Sequence, residues 1–166
     1  MPLTSPIRAY DPAWPDRYAE EAARLAPVFG PLLVALHHVG STAVPGLAAK
    51  PEIDILAIVD CDGVAEAWTG SLRDLGYRRG GDLAPGHGFF KRDVGGLRTH
   101  KLHVCSTGHP AAAGMLRFRD HLRRDPAGRR RYEALKLRLE AANRDGIAEY
   151  LDGKRPYIQS VLDELG

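Results

Sequence analysis

The sequence predicts a mixed α/β protein, with strands and helices interleaved over the first two thirds and helices alone in the last third. Three observations carry that expectation. Short β-branched runs bounded by Gly and Pro occur only before residue 106. Amphipathic helical stripes lie between them. From Pro110 onward apolar residues recur only at helical spacing.

In chain order, Pro-punctuated "YDPAWPDRYAEEAARLAPVF" carries Trp14, Tyr18, Ala22, Leu25 and Phe29 on one stripe, a helix. "PLLVALHHV" reads as a strand that ends at the Gly40-Ser41 turn. "VPGLAAKP" is loop or a short helical turn. "EIDILAIV" is a strand with apolar residues on both faces except at Glu52 and Asp54. Val64, Trp68, Leu72 and Leu75 trace a helix closed by Gly76. "GFFKRDVGGLRTHKLHV" is two strands joined at Gly95-Gly96. Helical stripes follow through Met115, Phe118 and Leu122, through Tyr132, Leu135 and Leu139, and through Ile158, Val161 and Leu165. No repeat or linker interrupts the 166 residues, so a single domain over 1–166 is expected.

Composition excludes several function classes. The 23 Lys plus Arg against 21 Asp plus Glu leave a net charge of +2, too little for a dedicated nucleic-acid binder. Cys61 and Cys105 are the only cysteines and lack CxxC spacing, which suits a reducing compartment and a cytoplasmic protein. "MPLTSPIRAYDP" has prolines where a signal peptide needs an apolar run. No stretch reaches the ~18 apolar residues of a membrane helix. GxGxxG, GKS/T, HEXXH and GxSxG are all absent.

The chemistry concentrates in "HVGSTAVPGLAAKPEIDILAIV", residues 38–59. Residues i and i+2 of a strand face the same side, so Glu52 and Asp54 present their carboxylates together. Like charges so placed repel unless a cation neutralises them. A hard divalent cation, Mg²⁺ or Mn²⁺, binds through carboxylates and substrate phosphates. The Gly40-Ser41 turn, ten residues before Glu52, is suited to the phosphate end. Gly permits close approach, Ser41 offers an N–H and a hydroxyl, and a helical turn starting there adds its dipole. Lys50 adds a point charge for phosphate. The bland alternatives are a self-bonded turn, a solvated loop lysine and, for His38, a hydrogen bond that orients the turn. Arg119, Lys136 and Lys154 belong either to a solvated basic face or to a set that points back to the sheet and grips phosphate. Tyr132 and Tyr150 read as packing residues.

The Gly-Ser turn followed by acid-x-acid resembles the signature of the nucleotidyltransferase superfamily. "HVGSTAVPGLAAKPEIDI", "RTHKLHV", "FRDHL", "YEALKLRL" and "YLDGKRPYI" together resemble the GrpB family. That resemblance implies a nucleotidyltransferase-like fold, a short mixed β-sheet flanked by helices with further helices after it. The superfamily signature implies Mg²⁺ or Mn²⁺ held by the acid pair, here Glu52 and Asp54. A third ligand is expected from a later strand, where "THKLHV" offers His100 and His103. His103 is then a metal ligand or a general base beside Asp54. Gly40, Ser41, Lys50, Arg119, Lys136 and Lys154 are the implied phosphate contacts. Two functions follow. One is transfer of a nucleotidyl group from a nucleoside triphosphate to an unspecified acceptor. The other is a non-catalytic module that binds a nucleotide or another phosphate-bearing small molecule. Neither calls for a specific nucleic acid or a membrane.

Overall fold

The computed structural model describes residues 5–62 and 66–166. Five strands form one sheet in the order β1-β2-β5-β4-β3. They are β1 (Leu33–Val39), β2 (Ile53–Val59), β3 (Tyr77–Ala84), β4 (His87–Val94) and β5 (Leu97–Ser106). β2 runs antiparallel to β1 and parallel to β5, and β4 runs antiparallel to both β5 and β3. The sheet is therefore mixed. β2 is an interior strand with a core on each face, Ile53, Ile55, Ala57 and Val59 on one and Leu56 on the other, which is why "IDILAIV" is apolar on both.

The helices are α1 (Trp14–Phe29), α2 (Thr69–Asp74), α3 (Pro110–Arg124), α4 (Pro126–Ala142) and α5 (Ile147–Leu165). Trp14, Leu25 and Phe29 of α1 and Leu72 of α2 pack on one sheet face, against Ile53, Ile55, Ala57, Val59, Leu102 and Val104. The opposite face carries Val39, Leu56 and Cys105 under Ala112, Met115 and Leu116 of α3. Beyond it, Leu122 and Phe118 of α3, Tyr132 and Leu135 of α4 and Tyr157 and Ile158 of α5 close around Val44 and Leu47. The alternation of a strand separates the two environments. Leu102 and Val104 enter the first core, and Lys101, His103 and Cys105 belong to the face that meets α3.

Three expectations are corrected. β3 was not foreseen. Its sequence, YRRGGDLA, is mostly exposed, and β-bulges interrupt its pairing with β4. The α2 helix starts only at Thr69, and Val64 of the expected stripe lies outside the described residues. The helical turn after the Gly-Ser pair is a single 3-10 turn, Ser41–Ala43, too short for a useful dipole. The Gly95-Gly96 turn is as expected, with φ of 61° and 80° suiting a tight hairpin. Among the described residues no helix is long and apolar enough to cross a membrane.

Candidate functional site

The site lies where β1 ends and β2 begins. Gly40 leaves β1 with φ 73° and ψ −174°, a conformation that favours glycine. The turn closes directly onto Asp54. A methyl group on Gly40 would come within 2.3 Å of Asp54 Oδ2. The turn is also tied from behind. Thr42 donates its hydroxyl to the Glu52 carbonyl at 3.3 Å, so it accepts from His38 Nε2–H at 2.9 Å. The His38 ring stacks on Tyr18. Burial, with Arg123 and Arg119 nearby, takes its pKa down to about 4, so the ring is neutral. His38 thus orients the turn.

Glu52 and Asp54 do present their carboxylates together, and what they meet is Lys101. Asp54 and Lys101 are cross-strand partners in the parallel β2–β5 pair. Lys101 Nζ lies 3.1 Å from Glu52 Oε2 and 3.4 Å from Asp54 Oδ1. Glu52 also accepts from the Ser5 hydroxyl at 3.4 Å and is only 5% exposed, so it is an inner member of the site. Burial raises the pKa of Asp54 and Lys101 lowers it, with burial the larger effect. Burial opposes the charge on Lys101, but Asp54 and Glu52 together raise its pKa. Nothing in the residue type singles out Lys101 in the sequence. The alternation of "THKLHV" placed it on the same face as His103, which was the available signal.

His103 lines the cleft with Ser41, Asp54 and Lys101. Its Nδ1 is 2.8 Å from His87 Nε2. Burial, then His87 and Lys101, push its pKa down to about 3. Such a ring is a poor general base near neutral pH. Another group with metal-ligand chemistry, His87, Cys105 and His109, brings its ligand atoms within 4.8 Å of one another. Both ring nitrogens of His109 are already engaged, Nδ1 by the Ala111 N–H at 3.1 Å and Nε2 by the Pro85 carbonyl at 2.9 Å, so it serves as the cap of α3.

The remaining expected phosphate contacts divide. Lys50 and Lys154 flank the acids, with their ammonium groups 4.6 and 4.7 Å from the Tyr150 ring centroid. Lys154 borders both the main cleft and a smaller polar recess that also contains Lys50, Glu52 and Lys136. Lys136 is buried and donates to the Ala48 carbonyl at 2.5 Å. Arg119 lines the cleft, but it donates to the His38 carbonyl at 3.0 Å and pairs with Asp120. With Arg123, which donates to the Ala43 carbonyl at 2.8 Å, it docks α3 on the Gly-Ser turn. Ser41 and Tyr132 both line the cleft. The cleft itself, about 880 Å³, has a polar floor of Ser41, Asp54, Lys101 and Lys154. Its wall of Met115, Phe118, Ile158 and Leu162 is apolar.

The crowded amines have a measurable consequence. Burial, then Lys154, lowers Lys136 to about 7, and burial, then Lys101, lowers Lys154 to about 8. The unfolded chain, with lysines near 10.5, then binds more protons than the folded one at neutral pH. Stability should rise with pH across this window and fall as pH drops through the folded values. The urea midpoint of the ligand-free protein is expected to increase from about pH 7 to about pH 9, and less so in Lys136→Met. A flat profile would mean that both amines are solvated.

The chain matches the GrpB protein family over residues 5–164. It belongs to the GrpB family. It is 37% identical over 156 residues to UPF0157 protein YqkA of Bacillus subtilis, covering 93% of this chain and 45% of that protein, so it spans about half the length of that relative. GrpB from Enterococcus faecalis has a crystal structure with a TM-score of 0.87, 31% identity and 96% coverage of both chains. A more distant likeness, with a TM-score of 0.51 and 16% identity, links 79% of this chain to 42% of the Cid1 poly(U) polymerase solved with MgGTP. The fold is thus nucleotidyltransferase-like.

Proposed function

We propose that this GrpB protein binds a phosphate-bearing small molecule, such as a nucleotide, in the cleft between the sheet and helices α3 and α5. On this reading it is a binding module. The observation that carries it is the excess of amines over acids, Lys101 and Lys154 beside Asp54 in the cleft and Lys50 and Lys136 beside Glu52 in the adjoining recess. Phosphate would meet Lys154, Lys101 and the Ser41 hydroxyl. The rest of the molecule would lie on Met115, Phe118, Ile158 and Leu162. A small ligand suits a chain of net charge +2 better than a long nucleic acid does.

Nucleotidyl transfer is the second reading, favoured by the nucleotidyltransferase-like fold and by the Gly40-Ser41 turn closed on Asp54. It calls for Mg²⁺ or Mn²⁺ on Glu52 and Asp54, with His103 as a further ligand. Those two carboxylates are already bridged by the Lys101 ammonium, with Lys50 and Lys154 close by, so a dication would enter among like charges. The residues as they stand fit a divalent cation poorly, so binding is the preferred function.

A thermal-shift screen of nucleotides and phosphorylated metabolites tests the binding reading. A true ligand at about 100 times its Kd should stabilise the fold by about 2.7 kcal/mol. Lys154→Ala should weaken binding by about tenfold, as expected for loss of a charged hydrogen bond. Affinity should also fall above about pH 8, where Lys154 loses its proton in the free protein. If no phosphate compound shifts the transition, the reading is wrong.

A further inference from the structure

Lys101 occupies the position that decides whether this cleft needs a metal. β5 lies parallel to β2 and brings Lys101 level with Asp54. Its Nζ bridges the two carboxylates at 3.1 and 3.4 Å. Mg²⁺ demands near-octahedral oxygen ligands about 2.0–2.1 Å away. It would have to share these two carboxylates with the Lys101 ammonium while lying among Lys50, Lys101 and Lys154. The lysine already does what a cation does for two neighbouring acids. It neutralises them and holds them together.

We propose that Lys101 is a built-in counter-ion standing in for a divalent cation, so that the cleft binds its phosphate-bearing ligand without metal. The proposal rests on the phosphate reading above and adds the means of binding. An ammonium group has three N–H donors, and the two carboxylates use two of them. The third, with Lys154, is available to phosphate. The charges agree. Lys50, Lys101 and Lys154 already outnumber Glu52 and Asp54 by one positive charge, to which the buried Lys136 beside them can only add, whereas a bound dication would add two more. Lys101 is also placed to discriminate, because it attracts the bare anion more strongly than the less negative metal chelate of it.

Mn²⁺ alone, and tripolyphosphate and AMP in EDTA, are the probes, each followed by calorimetric titration. The wild-type protein should bind at least one of the two phosphate probes in EDTA, with binding weakened about tenfold in Lys154→Ala. It should take up no Mn²⁺ that Asp54→Asn abolishes. Lys101→Glu adds a third carboxylate in place of the ammonium and should acquire Mn²⁺ binding, read as heat or as a thermal shift. The wild-type titrations stand whether or not that variant folds. Mn²⁺ uptake by the wild type that disappears in Asp54→Asn, or phosphate binding that requires Mn²⁺, would overturn the proposal and leave the phosphate reading intact. Failure of both probes to bind, with or without Mn²⁺, would overturn both.

Discussion

Gly40→Ala is expected to destabilise the protein by about 2–4 kcal/mol, combining backbone strain with overpacking, and to abolish phosphate binding. Two independent constraints meet at this residue. Its φ of 73° is one that a side chain rarely adopts. Its missing side chain leaves room for Asp54, whose Oδ2, Cβ and Cγ would lie 2.3, 2.9 and 2.9 Å from a methyl group there. Asp54 cannot simply rotate away, because its other oxygen faces Lys101. Gly95→Ala is the matched control. Gly95 has a φ of 61° with nothing within 4 Å of the added methyl, so it meets the backbone cost alone, of order 1 kcal/mol. Urea denaturation of the two variants separates strain from contact. Equal losses in both would mean that the closure of the turn on Asp54 has no energetic weight.

The parts of this molecule that follow from local pattern were legible in the sequence. The stripe from Trp14 to Phe29, the two-faced β2 strand and the Gly95-Gly96 hairpin each carry their own signal within a few residues. β3 does not. Arg78, Arg79, Gly80 and Gly81 have little intrinsic strand preference, and the segment is extended because it pairs along β4 at the sheet edge. The site divides in the same way. Period-two alternation was enough to place Glu52 and Asp54 side by side. Their partner depended on which strand lies beside β2 and in what register, and no local pattern contains that. Histidine chemistry points to His103, while Lys101, two residues earlier on the same face, holds the acids. The basic helical third shows a related limit. Arg119 and Lys136 do point toward the sheet, but backbone carbonyls take up donors of both, at His38 and Ala48. Side-chain type alone does not distinguish a docking arginine from a ligand-binding one.

The Lys101 bridge predicts the other large effect. Lys101→Met should cost about 3 kcal/mol, the low end for breaking a buried ion pair, because the side chain retains 27% exposure and Asp54 18%. The loss has a particular pH dependence. Without the ammonium, burial and the neighbouring Glu52 carboxylate hold the folded pKa of Asp54 above its unfolded value. A carboxylate raised in the folded state favours folding below its unfolded pKa, and that contribution disappears as pH rises through the folded value. The deficit of Lys101→Met relative to wild type should therefore be full at neutral pH and shrink as the solution is acidified toward about pH 4. Adding Glu52→Gln to Lys101→Met should recover part of the loss at neutral pH, because the repulsion between the two carboxylates is gone. A double-mutant cycle over Lys101 and Glu52 gives the coupling directly, and neighbours in one ion network are expected to couple by more than 0.5 kcal/mol. Strict additivity, or a deficit that grows on acidification, would show that Lys101 contributes packing alone and that the two acids find their compensation elsewhere.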